Sequence, residues 1–435
     1  MTDYTCKENS DCNQVNVTGR CEPSGYCSFS DSECDSGFRF GSASGESSRR
    51  CTESRDAGVE EPDANANANA DAGVPAPAII KLSAGLNHTC ILQENGISQC
   101  WGDNSSGQLN EIPDADHDGS AIPFSDGIGD AIGLGAGGRS TCLFGEFGIE
   151  CFGADDDSQL SLGFISEIDA RTVSIGKDHG ASVCALGRDQ GAIGPKETVY
   201  CWGGNGSGQA TANGTASEDI DTPIQIETDV HSIAVGRLHA CALANSKIGD
   251  SLEVVCWGNN EFAQMGTPVD SQANALDRVR LPDDVTPIKL AAGHEHNCII
   301  DSSNQVHCWG ANRYGQIGQP TGDPIPVLTP LDISAEVTTS AVEISLGSRH
   351  SCLLTEDRKV YCWGDNAFGQ LGTENDDGGP VSGLSNVDSI SVGQYHSCAH
   401  VSDIGVYCWG RNDFNQVDTS TIGIIRQPVL SFAQP

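Results

Sequence analysis

The stretch Val360-Tyr361-Cys362-Trp363-Gly364 decides the fold, because versions of it occur seven times along the chain. In every copy a cysteine comes directly before an aromatic residue and a glycine, and a second cysteine stands 9 to 17 positions upstream. All six tryptophans of the chain occupy the aromatic position, and Phe152 fills it in the second copy. The seven motif cysteines are Cys100, Cys151, Cys201, Cys256, Cys308, Cys362 and Cys408. A motif repeated in this way is typical of a repeat architecture, and seven copies favour a closed ring.

The sixth repeat shows the common pattern most clearly. An apolar stretch, Ile344 to Leu346, leads into a Gly-x-x-His element, Gly347 to His350. A cysteine, a variable loop and the Cys-Trp-Gly motif follow, and Asn366 to Gly372 close the repeat with turn residues. Short alternating segments rich in Val, Ile and Tyr, broken by glycine and asparagine, predict strands and hairpins. Sustained helical periodicity is missing from the sequence, so we predict an all-β, seven-bladed β-propeller.

The order Gly-x-x-His-Ser-x-x-Leu, Val-Tyr-x-Trp-Gly and Asn-x-x-Gly-Gln-Leu-Gly resembles the repeat of the regulator-of-chromosome-condensation family. The resemblance covers all seven repeats and implies four-stranded blades. It also implies protein partners, since eukaryotic members act as nucleotide exchange factors for a small GTPase and dock on nucleosomes. This chain departs from the family by placing cysteine at two strand positions of each repeat, where the family usually has small residues.

Three regions follow from the composition. Residues 1–55 carry Cys6, Cys12, Cys21, Cys27, Cys34 and Cys51 but few large apolar residues, so disulfides must staple this segment. Its stretch from Cys27 to Gly41 is similar to a cysteine-rich segment that precedes repeats in secreted myxobacterial proteins. Six cysteines allow 15 pairings, and the sequence does not choose among them. Residues 56–78 are rich in Ala, Asn and Pro and predict a disordered linker. Residues 79–435 form the predicted propeller.

Each propeller repeat contains one cysteine pair that flanks a predicted hairpin loop. Directly opposed residues of an antiparallel ladder lie close enough for a disulfide, and the alternative, buried free thiols, does not explain why both partners recur in all seven repeats. We therefore predict seven disulfides. They are Cys90–Cys100, Cys142–Cys151, Cys184–Cys201, Cys241–Cys256, Cys298–Cys308, Cys352–Cys362 and Cys398–Cys408.

The cysteines and the charge indicate the compartment and exclude some partners. Twenty cysteines at regular spacing favour an oxidising environment, so we expect a secreted or cell-surface protein. A signal peptide is not visible at the start, and we expect that a leader was removed or that the start was assigned too late. The repeats contain 17 Lys and Arg against 46 Asp and Glu, a net charge of −29, which disfavours nucleic acid and anionic membranes as partners. Membrane insertion is not expected, and we predict a monomer.

Two constellations could hold metals. Histidine recurs at His88, His179, His239, His296, His350 and His396, with Ser140 in the second repeat. One residue per blade spreads around the axis, so a repeated structural hydrogen bond is favoured over a zinc site. Asp114, Asp116 and Asp118 match the first half of a calcium loop. Ser125 stands where a bidentate Glu is required, so an acidic surface loop is the alternative to a calcium site, and no other cofactor is expected.

The sequence contains no motif of a known catalytic site, so we predict a non-catalytic propeller that binds another protein or a cell-surface ligand. The second interpretation is a secreted inhibitor of an extracellular enzyme, because a bacterial β-lactamase inhibitor shares the propeller fold. A hydrolytic enzyme and a nucleotide exchange regulator are weaker alternatives.

Two further expectations concern the hairpins and the ring closure. The loops between paired cysteines are longest in the third and fourth repeats, so we predict partner contact at Gly187 to Thr198 and Asn245 to Glu253. The alternative is neutral drift in loop length, because closure entropy rises slowly with length. We also expect the last segment, Gln427 to Phe432, to join the first blade and close the ring.

Overall fold

The computed structural model describes residues 77–109, 128, 130–156, 160, 163–178, 182–189, 197–214, 218–246, 251–330, 339–373 and 378–434, together with short strands between residues 13 and 40. The chain divides into two compact units, Met1–Pro75 and Ala76–Pro435. In the first unit, β1 (Asn13–Gln14) pairs with β2 (Val17–Thr18). A second sheet of this unit contains β3 (Arg20–Cys21), β4 (Cys27–Ser30) and β5 (Phe38–Phe40). The calcium loop predicted at Asp114, Asp116 and Asp118 lies outside the described residues.

The second unit is a seven-bladed propeller of antiparallel sheets, as the sequence predicts. The first strands of the blades are β6 (Ile79–Ala84), β9 (Ala131–Gly137), β13 (Ile168–Ile175), β17 (Val230–Val235), β21 (Pro287–Ala292), β25 (Ala341–Leu346) and β29 (Val387–Val392). The second strands are β7 (His88–Gln93), β10 (Ser140–Gly145), β14 (Ser182–Asp189), β18 (His239–Asn245), β22 (His296–Asp301), β26 (His350–Thr355) and β30 (His396–Val401). All described secondary structure in this unit is β-strand, turn or bend.

The outer half of each blade carries the Cys-Trp-Gly motif. The third strands are β8 (Ser98–Gly102), β11 (Gly148–Gly153), β15 (Thr198–Gly203), β19 (Leu252–Asn260), β23 (Val306–Gly310), β27 (Val360–Gly364) and β31 (Gly405–Asn412). Fourth strands are described in the second to seventh blades and are β12 (Phe164–Ile165), β16 (Ile220–Thr228), β20 (Asp270–Arg278), β24 (Ile325–Pro330), β28 (Gly379–Pro380) and β32 (Gly423–Ala433). Within each blade, neighbouring strands follow one another in the chain.

The core is a ring of apolar clusters, each of which lies between two consecutive blades. Between the fifth and sixth blades, for example, Cys298 and Cys308 pack with Ile344, Leu346 and Trp363. Successive side chains of a strand point to opposite faces, so the cysteine of each Cys-Trp-Gly motif faces the next blade and the aromatic residue faces the previous one. Each motif therefore contributes its cysteine to the interface with the next blade and its aromatic residue to the interface with the previous blade. This double role explains why all seven repeats keep the motif.

The ring closes differently from the expectation. The last strand, β32, pairs with β31 of its own seventh blade, with Tyr407 opposite Leu430 and Cys408 opposite Val429, so the expectation that it joins the first blade is wrong. The reason is local, because each fourth strand follows its own Cys-Trp-Gly motif and completes the same sheet. Side chains join the seventh blade to the first, and the Trp101 indole donates to the Gln416 carbonyl at 3.1 Å.

Strand direction gives the propeller two distinct faces. At one face the first strand of each blade turns into the second, and the third turns into the fourth; we call it the turn face. At the opposite face the second strand joins the third; we call it the hairpin face. The Gly-x-x-His elements lie on the turn face, whereas the loops between paired cysteines lie on the hairpin face.

Candidate functional site

The structure brings the two cysteines of each predicted propeller pair directly opposite each other. Their Cα atoms are 4.0–4.1 Å apart, and all seven pairs are bonded through their Sγ atoms. Every bonded pair joins the second strand of a blade to the third. The disulfides therefore close the hairpins from within the sheets, and the loops beyond them can vary without opening the blade.

The turn histidines form structural hydrogen bonds between blades, as the sequence favours. Nε2 of each one is 2.9–3.0 Å from a side-chain oxygen of the next blade. The pairs are His88 with Thr141, His239 with Asn297, His296 with Ser351, His350 with Ser397, and His396 with Thr89. Burial lowers the pKa of His88 and His239 to about 4 and that of His296 and His396 to about 3. These rings are therefore neutral at physiological pH.

In the third blade Ser182, and not the predicted His179, occupies the strand position of the turn histidines. The residue opposite Gly203 in the third blade is Ser182, in the register that His88 has with Gly102 in the first blade. Position 179 itself lies outside the described residues. The sequence contains the signal, because the other turn histidines precede their cysteine by two positions, whereas His179 precedes Cys184 by five.

The third blade contributes a lysine that crosses the axis of the ring. The Lys177 ammonium donates to the Leu346 carbonyl at 2.8 Å and to the Val392 carbonyl at 3.0 Å. These carbonyls belong to the sixth and seventh blades, which lie opposite the third in a seven-membered ring. Burial lowers the pKa of Lys177 to about 8, because it disfavours the charged form. The lysine thus closes the centre of the turn face.

A cavity of about 500 Å³ lies beside this centre and spans the fourth to seventh blades. Its walls come from turns of the Gly-x-x-His type and from the loop that follows the Cys-Trp-Gly motif of the fifth blade. The residues that line it include Arg237, Glu295, Arg313, Tyr314, Arg349 and Tyr395. A concave site with aromatic walls and a few polar groups is the usual form of a ligand pocket. The repeat pattern does not predict this cavity, although Arg237 and Arg349 are visible as variable residues inside the repeated turn.

One arginine of the cavity is held by aromatic rings. The Arg349 guanidinium carbon lies 4.4 Å from the centre of the Tyr314 ring and 5.9 Å from that of Tyr395, which is the geometry of a cation–π contact. Among the described residues, its guanidinium has no ion pair and no hydrogen-bond partner. Stacking leaves the edge of a guanidinium free to donate, so Arg349 can bind an anion without losing its position.

A second arginine of the cavity is already paired. Arg237 donates to Asp178 at 2.5 Å and to Glu295 at 3.3 Å, and the two carboxylates raise its pKa although burial opposes them. Burial raises the pKa of Glu295, and the neighbouring Arg237 and Arg349 act in the opposite direction. His294 donates from Nε2 to the Lys177 carbonyl at 2.9 Å, which ties the cavity wall to the axial lysine.

The hairpins predicted to bind a partner lie on the hairpin face, away from this cavity. Gly187 pairs with Thr198 in the third blade, and both are buried. In the fourth blade Glu253 pairs with Ala244, while Asn245 pairs with Leu252. Part of the extra hairpin length is therefore ladder. The loop tips, residues 190–196 and 247–250, lie outside the described residues, so the predicted contact there stays a prediction.

The bases of these two hairpins are adjacent, and each carries a salt bridge. Leu186 and Val199 of the third blade share an apolar cluster with Val230 and Ala244 of the fourth. Arg278 pairs with Glu253 at 2.8 Å. In the third blade Arg171 pairs with Glu197 at 2.9 Å. The described bases of the two hairpins therefore lie side by side on one apolar cluster.

Comparison with known proteins agrees with this architecture. The sequence profile of the RCC1-like domain matches residues 38–430. The chain belongs to the RCC1-like domain family. Human HERC6, a probable E3 ubiquitin-protein ligase, is 35% identical over 205 residues, which are 46% of this chain and 19% of HERC6. The ultraviolet-B receptor UVR8 of Arabidopsis thaliana is 27% identical over 309 residues, 69% of this chain and 68% of UVR8.

The similar solved structures support the fold alone. Human WBSCR16 superposes with a TM-score of 0.61 at 17% identity, covering 74% of this chain and 86% of that one. Prp20p of Saccharomyces cerevisiae gives 0.51 at 18% identity, covering 81% and 77%. This chain spans about a fifth of the length of HERC6 and two thirds of that of UVR8. Among the described residues no helix is long and apolar enough to cross a membrane.

Proposed function

We propose that this RCC1-like protein is an exported, non-catalytic propeller that binds another protein through the paired hairpins of its third and fourth blades. The observation that carries the proposal is the placement of the two longest disulfide-closed loops on adjacent blades of the hairpin face, above one apolar base. Loops carried on a rigid scaffold are common recognition elements, because the scaffold fixes their relative position. Among solved relatives, Prp20p has binding properties toward Gsp1p and histones.

Two observations support the non-catalytic and exported parts of the proposal. The five turn histidines are buried and hydrogen bonded to neighbouring blades, so they serve the scaffold and are not available for proton transfer to a ligand. All fourteen propeller cysteines are paired. Disulfides of this kind persist in oxidising compartments, which favours a secreted or surface location and a partner met there.

Trimming the two hairpins tests the binding proposal. In one variant residues 190–196 and 247–250 are removed and each gap is closed with Asn-Gly, which favours a tight hairpin turn. The control variant carries Asn-Gly in place of Glu356-Asp357 in the short hairpin of the sixth blade. Each full-length protein is immobilised and exposed to secreted and envelope proteins of the source organism, and a captured protein is purified and its affinity measured directly.

We expect the wild type and the control to bind the same purified partner and the trimmed variant to lose at least about tenfold in affinity. Equal affinity of the trimmed variant and the wild type would contradict the proposal and move the contact elsewhere. Export is tested separately by expressing the chain behind a bacterial leader and titrating thiols without reductant. Quantitative labelling of the propeller cysteines would overturn the exported assignment and leave the binding result intact.

A further inference from the structure

The cations of the propeller are unevenly distributed. Among the described residues of the propeller, six Lys and Arg lie in a turn between the first and second strands or within three residues after a Cys-Trp-Gly motif, on the turn face. They are Arg139, Lys177, Arg237, Arg313, Arg349 and Arg411. Three of them, Arg237, Arg313 and Arg349, line the same cavity. The domain as a whole has a net charge of −29, so a cavity lined by three arginines differs from the acidic surface around it.

The charges of the cavity wall suit an anion with a single charge. Arg237 pairs with Asp178, which lies outside the lining, and with Glu295, at 2.5 and 3.3 Å. The charged side chains of the lining are Arg237, Arg313 and Arg349 and the carboxylates of Glu295 and Asp323. Three cations and two anions leave the lining with one positive charge. A dianion such as a phosphate monoester would add a second negative charge close to Asp323 and Glu295, and like charges at short range repel.

The walls also select for a flat, apolar group beside the anion. Phe262, Tyr314 and Tyr395 line the cavity together with Pro324. Arg349 is oriented by its contact with Tyr314, so its free N–H groups present the planar fork that matches a carboxylate in two parallel hydrogen bonds. A cavity of about 500 Å³ has the size of a small-molecule site.

We propose that the turn-face cavity binds a monocarboxylate carried next to an aromatic ring, with Arg349 as the carboxylate-binding residue and Tyr314 and Tyr395 as the ring contacts. The site is separate from the hairpins of the proposed function, since it opens on the opposite face. The carboxylate can come from a free aromatic acid or from a glutamate beside an aromatic residue in a peptide, and both sources share this chemistry.

Titration of the full-length protein with three small probes tests the proposal. The probes are phenylacetate, its neutral amide phenylacetamide, and phenyl phosphate, and binding is followed by ligand-observed NMR. We expect phenylacetate to bind with a dissociation constant on the order of millimolar, as its size allows. Phenylacetamide and phenyl phosphate should bind roughly tenfold more weakly or not at all. Equal affinity for phenylacetate and phenylacetamide would overturn the proposal. So would the absence of phenylacetate binding at a ligand concentration of about 10 mM, ten times the expected dissociation constant.

Arginine variants locate the site. Arg349→Gln should weaken phenylacetate binding roughly tenfold, since it removes the charged hydrogen bonds. The matched control is Arg358→Gln, an arginine of the same blade on the hairpin face that pairs with Asp388 at 2.9 Å, and its binding should equal that of the wild type. The exposed Arg313→Gln provides a second cavity variant if Arg349→Gln alters the melting temperature. Unchanged binding in both cavity variants would overturn the assignment.

A peptide probe separates the two sources. Acetyl-Phe-Glu-amide carries the same carboxylate and ring on a peptide backbone. Binding at least about tenfold tighter than that of phenylacetate supports the proposal with a protein segment as the source, whereas weaker binding supports it with a free acid as the source. If the peptide binds more tightly than phenylacetate, Arg349→Gln must abolish the binding of the peptide. A peptide signal that persists in Arg349→Gln would overturn the proposal for peptides.

Discussion

On the turn face six of the seven repeats keep the length of the turn between the first and second strands and vary its side chains, whereas on the hairpin face the repeats vary in length. The same histidine bond to the next blade is made five times on the turn face, around turns of nearly constant size. The paired cysteines of the hairpins are separated by 9 to 17 positions. The difference follows from packing, since the turns contact neighbouring blades and the axis while the hairpin tips project beyond their disulfides.

The largest expected effect is acid destabilisation through the turn face. The pKa values of its five histidines are lowered by burial below the usual 6.5, to about 3–4 for four of them. Their stability contribution is therefore fully present above pH 6.5 and is lost as the pH falls toward the folded-state values. Between pH 7.5 and 5 we expect a loss of roughly 5–10 kcal/mol in the free energy of unfolding, at 1–2 kcal/mol for each of the five histidines. Urea unfolding at several pH values measures it.

A pair of histidine variants assigns the acid effect to one face. His296→Gln keeps a donor toward Ser351 and removes one titrating ring, so its stability should fall less steeply with acid than that of the wild type. His231→Gln changes an exposed histidine at the base of a hairpin, and its pH dependence should match the wild type. Equal slopes for all three proteins would contradict a turn-face origin.

A glycine substitution on the turn face should have the next largest effect. A methyl group on Gly293 would lie 2.4 Å from Cε1 of His296 and 2.6 Å from the Gly347 carbonyl oxygen, so Gly293→Ala must displace backbone. We expect a loss of about 3 kcal/mol in the free energy of unfolding. Gly206→Ala, where nothing lies within 4 Å, should change it by less than about 0.5 kcal/mol. A similar change in the free energy of unfolding for Gly293→Ala and Gly206→Ala would show that the turn at Gly293 tolerates a side chain.

Removing single disulfides compares short and long hairpins. Replacing both Cys298 and Cys308 by Ala should cost about 2.7 kcal/mol, and the same change at Cys184 and Cys201 about 3.1 kcal/mol, because the longer loop gains more entropy when it opens. The two closed loops span 10 and 17 residues. Calorimetry under non-reducing conditions measures both losses. If the loss of Cys184–Cys201 costs at least about 1 kcal/mol less than the loss of Cys298–Cys308, loop length does not govern the effect.

Trimming the third and fourth hairpins should have the smallest effect on stability. Removing seven residues and adding two shortens the third-blade loop from 16 to 11 intervening residues, which changes the closure free energy by about 0.3 kcal/mol in the stabilising direction. The melting temperature of the trimmed variant should therefore stay within a few degrees of the wild type. A loss above about 2 kcal/mol would mean that these tips pack against the scaffold, and the contrast between the faces would be weaker than described.

The sequence predicts the propeller, its seven blades and the facing cysteines, because one motif supplies both sides of every blade interface. It misleads in the third repeat, where Ser182, and not His179, is the residue opposite Gly203. It also misleads at the last strand, which stays in its own blade. The cavity escapes sequence reasoning because Arg237, Tyr314 and Arg349 come from three different blades, and each occurs at a variable position of the repeat.

Lys177 lies across the axis of the ring, between its two faces. Its ammonium group spans the axis on the turn face and is hydrogen bonded to the carbonyls of Leu346 and Val392 on the far side. The side chain of Lys177 therefore crosses the path along the axis, and the two sites proposed above open on opposite sides of the ring. Under both proposals, a molecule held on one side leaves the other side free for a second.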